Sequence, residues 1–464
     1  MRSEVVIGFA ALALVGCTLQ RTEVDECQRD SDCREAFGVA SLCGADGYCE
    51  LLEDEPRCTV TYPADYEDSP GLYPDMVLVG TIIDQDNTVH RARARAVQVA
   101  VQDADDQRST LGQRFGLVVC NNGDTADSLT QAEASIRIAT WLRDVAEVPF
   151  IVGPASSDAT AAVFGAVDDI LLISPSASSE ALTTIDVTEP TDANPGRLWR
   201  TTVPDTAQAA RLVADIEARG IARLAIVYLE GTYGEGLSQQ VEAALTGTDV
   251  RTYAFASASD LGMRVTEVGA SDAQEVLFIS SDAAQIASFI NTATAGASAD
   301  DFASKTFLLT DAAANDTFIG GVSDLAAFGR IRGTRPAQPD SDQLATFINQ
   351  YELRFGEDVA GLSFTPNAFD AAWIGLYAFF WARANEADLS PISLARGLRR
   401  LSSGIAVSTT NPGSIAAARD EFAAGNGVDV TGASGALDFD PATEELTGSF
   451  EVWVVSDGML VAAP

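Results

Sequence analysis

Across 464 residues, 67 Asp and Glu stand against 29 Lys and Arg, a formal charge of −38, and Lys305 is the only lysine. So acidic a chain argues against nucleic acid or an anionic membrane face as partner, because phosphates require clustered cations. Hydrophobic and charged contents of 47% and 21% fit a globular protein, and the length allows more than one core.

The chain opens with Arg2 and an apolar run, Val5–Val15, too short to span a bilayer. The run ends in Leu14-Val15-Gly16-Cys17, which resembles the bacterial lipoprotein signal. That resemblance implies a cleaved signal over residues 1–17, a lipid on Cys17, and a place on the cell envelope facing an oxidising compartment. A buried apolar turn with a stray cysteine is the competing reading, and the lipoprotein signal is preferred to it. Cys27, Cys33, Cys43, Cys49, Cys58 and Cys120 remain, an even number that suits a disulfide framework. The Gly- and Asp-rich stretch Cys27–Cys49 has little apolar periodicity, so residues 18–58 read as a small module stapled by two bridges. Cys58 and Cys120 would then pair. A zinc site is the competing reading, but no C-x-x-C spacing occurs and no histidine is near; neither metal nor cofactor is expected. The acidic, Pro- and Tyr-rich residues 59–74 read as a linker.

From there strands and helices alternate. Met76–Ile83 is the first core strand, followed by a loop at Asp84–Asn87 and a helix over His90–Asp103. Phe115–Cys120 is the second strand, before a helix over Gln131–Arg143. Val148–Val152 and Ile170–Ser174 are short apolar runs bounded by turn residues, as buried parallel strands tend to be. Between them, Ser156 and Ser157 fall at a helix start. They read either as an ordinary cap or as hydroxyls beside unpaired N–H groups where a carboxylate docks. Ser176, Ala177 and Ser178 leave the next strand at its carboxyl end, the edge where open α/β sheets bind ligands. Arg197–Thr202 looks like a crossover. A second block repeats the alternation, with strands at Leu224–Leu229, Val250–Phe255, Val276–Ile279 and Phe307–Thr310. Asn367–Ala384 reads as a buried core helix, Glu386–Arg400 as another helix, and Ala436–Phe439 and Phe450–Val455 as closing strands. The fold class is therefore α/β, with two doubly wound parallel-sheet lobes behind a small Cys-rich module.

Gly231, Gly234 and Gly236 lack the order of a phosphate loop. His90, the one histidine, is the single candidate base for a Ser-His-Asp hydrolase; a surface or supporting histidine is the plainer reading. Asp311 reads as a helix cap or as partner to a cationic ligand group, and Tyr233 as packing or as a ring over an ammonium. Together, Gly153-Pro-Ala-Ser-Ser157, Ile173-Ser-Pro-Ser-Ala-Ser178, Tyr233-Gly-Glu-Gly236, Thr310-Asp-Ala312, Ala368-Phe-Asp-Ala371 and Gly435-Ala-Leu-Asp-Phe-Asp440 resemble the type I periplasmic solute-binding proteins. The nearest group is similar to the leucine/isoleucine/valine-binding proteins.

The resemblance covers Pro74 to the C-terminus. It implies two lobes, 75–202 plus 334–430 and 203–333 plus 431–464, joined by three crossovers near Thr202, Gly333 and Thr431. It further implies that Ser157, Ser176 and Ser178 hold a ligand carboxylate and part of its ammonium, while Tyr233 and Asp311 complete the ammonium site from the other lobe. Ala312 and Ser178 stand where many relatives have Gly and Thr. The function it implies is closure on a small zwitterion, an amino acid, for uptake through an ABC permease. A sensor or structural lipoprotein on the same fold is the alternative, and no enzyme activity is expected.

Overall fold

Short apolar strands alternating with helices close into two separate sheets. The computed structural model describes residues 26–123, 127–337 and 341–463. The first sheet runs in the order Cys58–Tyr62, Phe115–Cys120, Val77–Ile82, Phe150–Val152, Leu171–Ser174, Leu198–Arg200. All its pairs are parallel except the edge pair of Cys58–Tyr62 with Phe115–Cys120. The second runs Asp249–Phe255, Arg223–Leu229, Glu275–Ile279, Thr306–Leu309, Ile331–Pro336, Phe450–Ser456, Met459–Ala462, with the last two joins antiparallel. Strands Phe150–Val152, Leu171–Ser174 and Glu275–Ile279 are buried at every residue, as sheets covered by helices on both faces require.

Helix Thr365–Asn385 organises the first lobe. It is buried from Thr365 through Ala382, which explains a sequence apolar on most faces. It packs between helix Thr88–Asp106, helices Pro391–Leu398 and Pro412–Ala423, and the sheet. Among the described residues no helix is long and apolar enough to cross a membrane.

The N-terminal module consists of helix Asp30–Phe37 and the hairpin Ser41–Cys43/Cys49–Leu51, tied by Cys27–Cys43 and Cys33–Cys49. A third disulfide joins Cys58 to Cys120, which face each other directly across the antiparallel edge pair. Sulfurs bound this way have no thiolate to offer a metal. Cys17 and the signal segment lie outside the described residues.

Several expected boundaries are corrected. The segment read as a linker contains the edge strand Cys58–Tyr62 and a 3-10 turn at Pro70–Leu72, because Val60 is buried in the lobe-one core. Strand Ile331–Pro336 stays in the second sheet past Gly333, so the second crossover follows Pro336. The third comes after Thr447 rather than at Thr431. Ala433, Leu437, Phe439 and Leu446 all sink into the first lobe's core, and the Phe439 ring meets Trp199 edge-on at 5.0 Å. Ala436–Phe439 is accordingly no strand and makes only isolated bridges, Thr431 with Ala436 and Phe439 with Leu446. A small parallel pair, Ile405–Ser408 with Val428–Thr431, was not expected.

Candidate ligand-binding cleft

Loops at the carboxyl ends of both sheets face each other and enclose a cavity of about 280 Å³. From the first lobe it is lined by Ser156, Ser157, Ser176 and Ser178, and from the second by Tyr233 and Asp311. Ala177 does not line it. Its side chain is fully buried in the first lobe's core, and its N–H donates to Ser174 Oγ at 3.1 Å.

The serine wall begins at Gly153, which holds a φ of +110° and whose added Cβ would stand 2.5 Å from the Ile82 carbonyl oxygen. Only glycine fits that close approach of backbone to backbone. The hydroxyls then divide their work. Ser156 caps helix Ser157–Ala166 by accepting from the Ala159 N–H, and donates to Gln131 Oε1 at 3.1 Å. Ser157 is the first helical residue, and its Oγ accepts from the Ser179 N–H at 3.3 Å. Ser178 is buried at the cavity wall, and its carbonyl accepts from the Asp205 N–H at 2.8 Å. The cap reading therefore holds for Ser156, and Ser157 stands one place further along the helix.

The opposite wall is built around Asp311, in a short turn after strand Thr306–Leu309. Its carboxylate accepts from Tyr233 Oη at 2.8 Å and from Gln208 Nε2 at 3.2 Å. Burial pushes its titration above the usual carboxylate range, and these two donors oppose that push. The Tyr233 phenol is raised well above its ordinary value by burial and by the Asp311 charge. It stays a donor, aimed at the carboxylate. Gln208 was not read from the sequence. It sits on the buried face of helix Asp205–Ala218 and is also held by Thr334 Oγ1 at 3.0 Å.

The lobes touch at the rim. Asp158 of the first lobe accepts from the Thr232 N–H of the second at 2.7 Å, and Ser179 Oγ donates to the Thr232 carbonyl at 3.0 Å. Ser363 Oγ donates to the Ala314 carbonyl at 2.8 Å on another side. These bonds cross between separately built sheets, so opening the cleft means breaking them.

His90 lies in the first turn of helix Thr88–Asp106 and borders the cavity. Burial, with the Arg93 charge nearby, lowers it to about 3, so the imidazole is neutral at physiological pH. Its Nδ1 has no hydrogen-bond partner and lies 3.9 Å from Asp84. Among the described residues no serine hydroxyl bonds to it, so the triad reading has no geometry to stand on.

Asp205 is fully buried at the first crossover, and neither carboxylate oxygen meets a well-aligned donor. Burial pushes it up to about 8, against a partial lowering by the Ser178 hydroxyl. An unfolded aspartate titrates near about 3.9. Between those values the folded chain therefore holds the extra proton, and this group's contribution to stability falls as pH rises through the window. Asp205→Asn is expected to remove that decline. In thermal melts, the variant should gain on the wild type between pH 5 and pH 8.5; parallel melting curves at both pH values would contradict the assignment.

Two doubly wound lobes, with a polar cavity between the carboxyl ends of their strands, define a type I periplasmic binding protein. The chain belongs to the family described as receptor family ligand binding region, whose model matches residues 92–458. A Halobacterium salinarum protein named chemotactic signal transduction system substrate-binding protein BasB is 26% identical over 365 residues, 76% of this chain and 80% of that one. Among solved structures, leucine-binding protein LivK of Thermotoga maritima superposes with a TM-score of 0.65 at 16% identity, covering 84% of this chain and 98% of that chain. LivJ of Streptococcus pneumoniae, in complex with isoleucine, gives 0.61 at 16% identity, covering 84% and 100%. A Rhodopseudomonas palustris solute-binding protein holding 4-hydroxybenzoate gives 0.61 at 16% identity, covering 84% and 96%.

Proposed function

We propose that the protein closes on a small amino acid. Ser157 and Ser178 hold the carboxylate end, and Asp311 with Tyr233 holds the ammonium. The observation that carries this reading is the placement of hydroxyls and a buried carboxylate on opposite walls of one cavity. A desolvated cleft of this kind favours a zwitterion whose two ends are both paired, since an unpaired buried charge is costly. A benzoate, like the one bound by the R. palustris neighbour, brings no cation to Asp311. Ligand contacts to both lobes favour the closed arrangement, which supplies the signal for a partner.

That partner is an ABC permease in the reading supported by LivJ, the substrate-binding protein of a branched-chain amino acid transporter, and by the R. palustris protein, from an ABC transporter. The BasB relative supports a second, in which the closed form is read by a chemotactic receptor. Loss of radiolabelled amino-acid uptake in a deletion strain selects the first; intact uptake with lost taxis selects the second. Binding itself is tested by titration calorimetry with an amino-acid panel. Saturable heat with one or more members supports the reading, and no heat with any member rejects it.

An anchor at Cys17 places the binding lobes outside the membrane. Cys17→Ser is expected to abolish incorporation of labelled fatty acid and release the protein from the membrane fraction. Unchanged membrane association of the variant would reject lipidation there.

A further inference from the structure

Arg93 is the largest departure from a simple serine-and-aspartate site. It lies in the second turn of helix Thr88–Asp106, borders the cavity, and is 7% exposed. Its Nε donates to the Ser363 carbonyl at 3.2 Å and its Nη1 to Ser176 Oγ at 3.1 Å. The guanidinium stands 5.1 Å over the Phe364 ring. Among the described residues no carboxylate lies within ion-pair distance of it, and the Asp311 charge acts on it without a direct contact. A guanidinium offers a planar fork suited to a carboxylate, and burying one without an anion is costly.

The surroundings share that polarity. Ala155, Leu229, Ala312 and Phe364 are the apolar residues of the lining; the rest are polar. An aliphatic side chain needs a mainly apolar wall, and this cavity does not supply one. Past Arg93 and His90 the space continues into a second cavity of about 220 Å³, also reached by Asn87, Ser281 and Asp282. Three aspartates border this end: Asp86 accepts from Asn121 Nδ2 at 3.3 Å, and the other two spend carboxylate oxygen on backbone N–H groups. Asp84 accepts from Asp86 and Asn87, and Asp282 from Ala284 and Gln285. Arg93 is therefore the cation available to a ligand.

We infer that the ligand is an amino acid whose side chain ends in a carboxylate, and that Arg93 pairs with that second carboxylate. This rests on the amino-acid reading above. Ser157 and Ser178 keep the α-carboxylate, and Arg93, with Ser176 as its support, sets specificity.

The test is calorimetry on the purified protein and on Arg93→Gln, with L-glutamate, L-aspartate, L-glutamine, L-asparagine and L-leucine as probes. In the wild type, an acidic amino acid should bind at least about tenfold tighter than its amide and than leucine. In Arg93→Gln that preference should disappear, through weaker binding of the acid, while affinity for the amide stays within about threefold. Three results would overturn the inference: leucine as the tightest wild-type ligand, an acid no better than its amide, or equal losses for acid and amide in the variant. The first two are read on the wild type alone, so a poorly folded variant does not obscure them. Leucine binding that depends on Asp311 would sink this inference and leave the amino-acid reading standing; no heat with any amino acid would sink both.

Discussion

Asp311→Ala is expected to weaken amino-acid binding by about 1.5–3 kcal/mol, the worth of a hydrogen bond to a charged group, or roughly ten- to hundredfold in Kd. The carboxylate is buried and oriented by Tyr233 and Gln208, so it reaches an ammonium with little reorganisation. The loss should reside mainly in affinity, because the donors left behind keep other partners: Tyr233 Oη reaches Gln208 Oε1 at 3.2 Å and Gln208 Nε2 reaches Thr334 Oγ1 at 3.0 Å. Tyr233→Phe keeps the ring and deletes the donor, and should cost less. Affinity for the zwitterion should also fall with acid sooner than an exposed carboxylate would dictate, because burial raises the titration of Asp311. Calorimetry at pH 7.5 and pH 5 measures both effects. An Asp311→Ala variant with wild-type affinity would show that the ammonium sits elsewhere.

A second large effect is expected in stability. Asp370→Ala should destabilise the fold by about 3 kcal/mol or more, since at least two of the bonds to this buried carboxylate cannot be replaced. Fully buried on helix Thr365–Asn385, Asp370 accepts from Thr409 Oγ1 at 3.0 Å, the Ala433 N–H at 2.9 Å, the Ser434 N–H at 2.7 Å and Ser434 Oγ at 2.6 Å. It ties the central helix of the first lobe to the chain approaching the last crossover. Gly432 packs so closely that an added Cβ would stand 2.3 Å from Asp370 Oδ2, so no larger neighbour can fill the space. Denaturant titration reads the change directly, and a midpoint unmoved by the substitution would contradict it.

The stretch from Val148 to Ser179 was the most legible part of the chain. Its strands are short apolar runs closed by Gly-Pro or Ser-Pro, and parallel pairing buries such runs outright. The paired serines announced a helix start in the same way. Legibility failed where burial comes from a distant partner. Cys58–Tyr62 sits in an acidic, Tyr-rich setting and becomes a strand only because Phe115–Cys120 offers it an edge. Ile405–Ser408 and Val428–Thr431 are four residues each, too short to show a period. At the other extreme, Ala436–Phe439 has strand-like composition, but its apolar side chains are used against Trp199 and the surrounding core.

Arg93 was hidden between Arg91 and Arg95 in an alternating Arg-Ala run. A signal was nonetheless available. Val89 and Val97 lie four residues to either side, and both are buried on the face that Arg93 shares. A lone cation on an apolar stripe is the pattern that deserved weight there. Gln208 had no comparable signal, because its partner Asp311 is more than a hundred residues away.

The most direct measurement is a crystal structure with the amino acid that calorimetry selects. The ammonium should lie within hydrogen-bond distance of Asp311, with the α-carboxylate against Ser157 and Ser178 on the facing wall. A ligand seated outside this cavity, or bound with its carboxylate toward Asp311, would contradict the account.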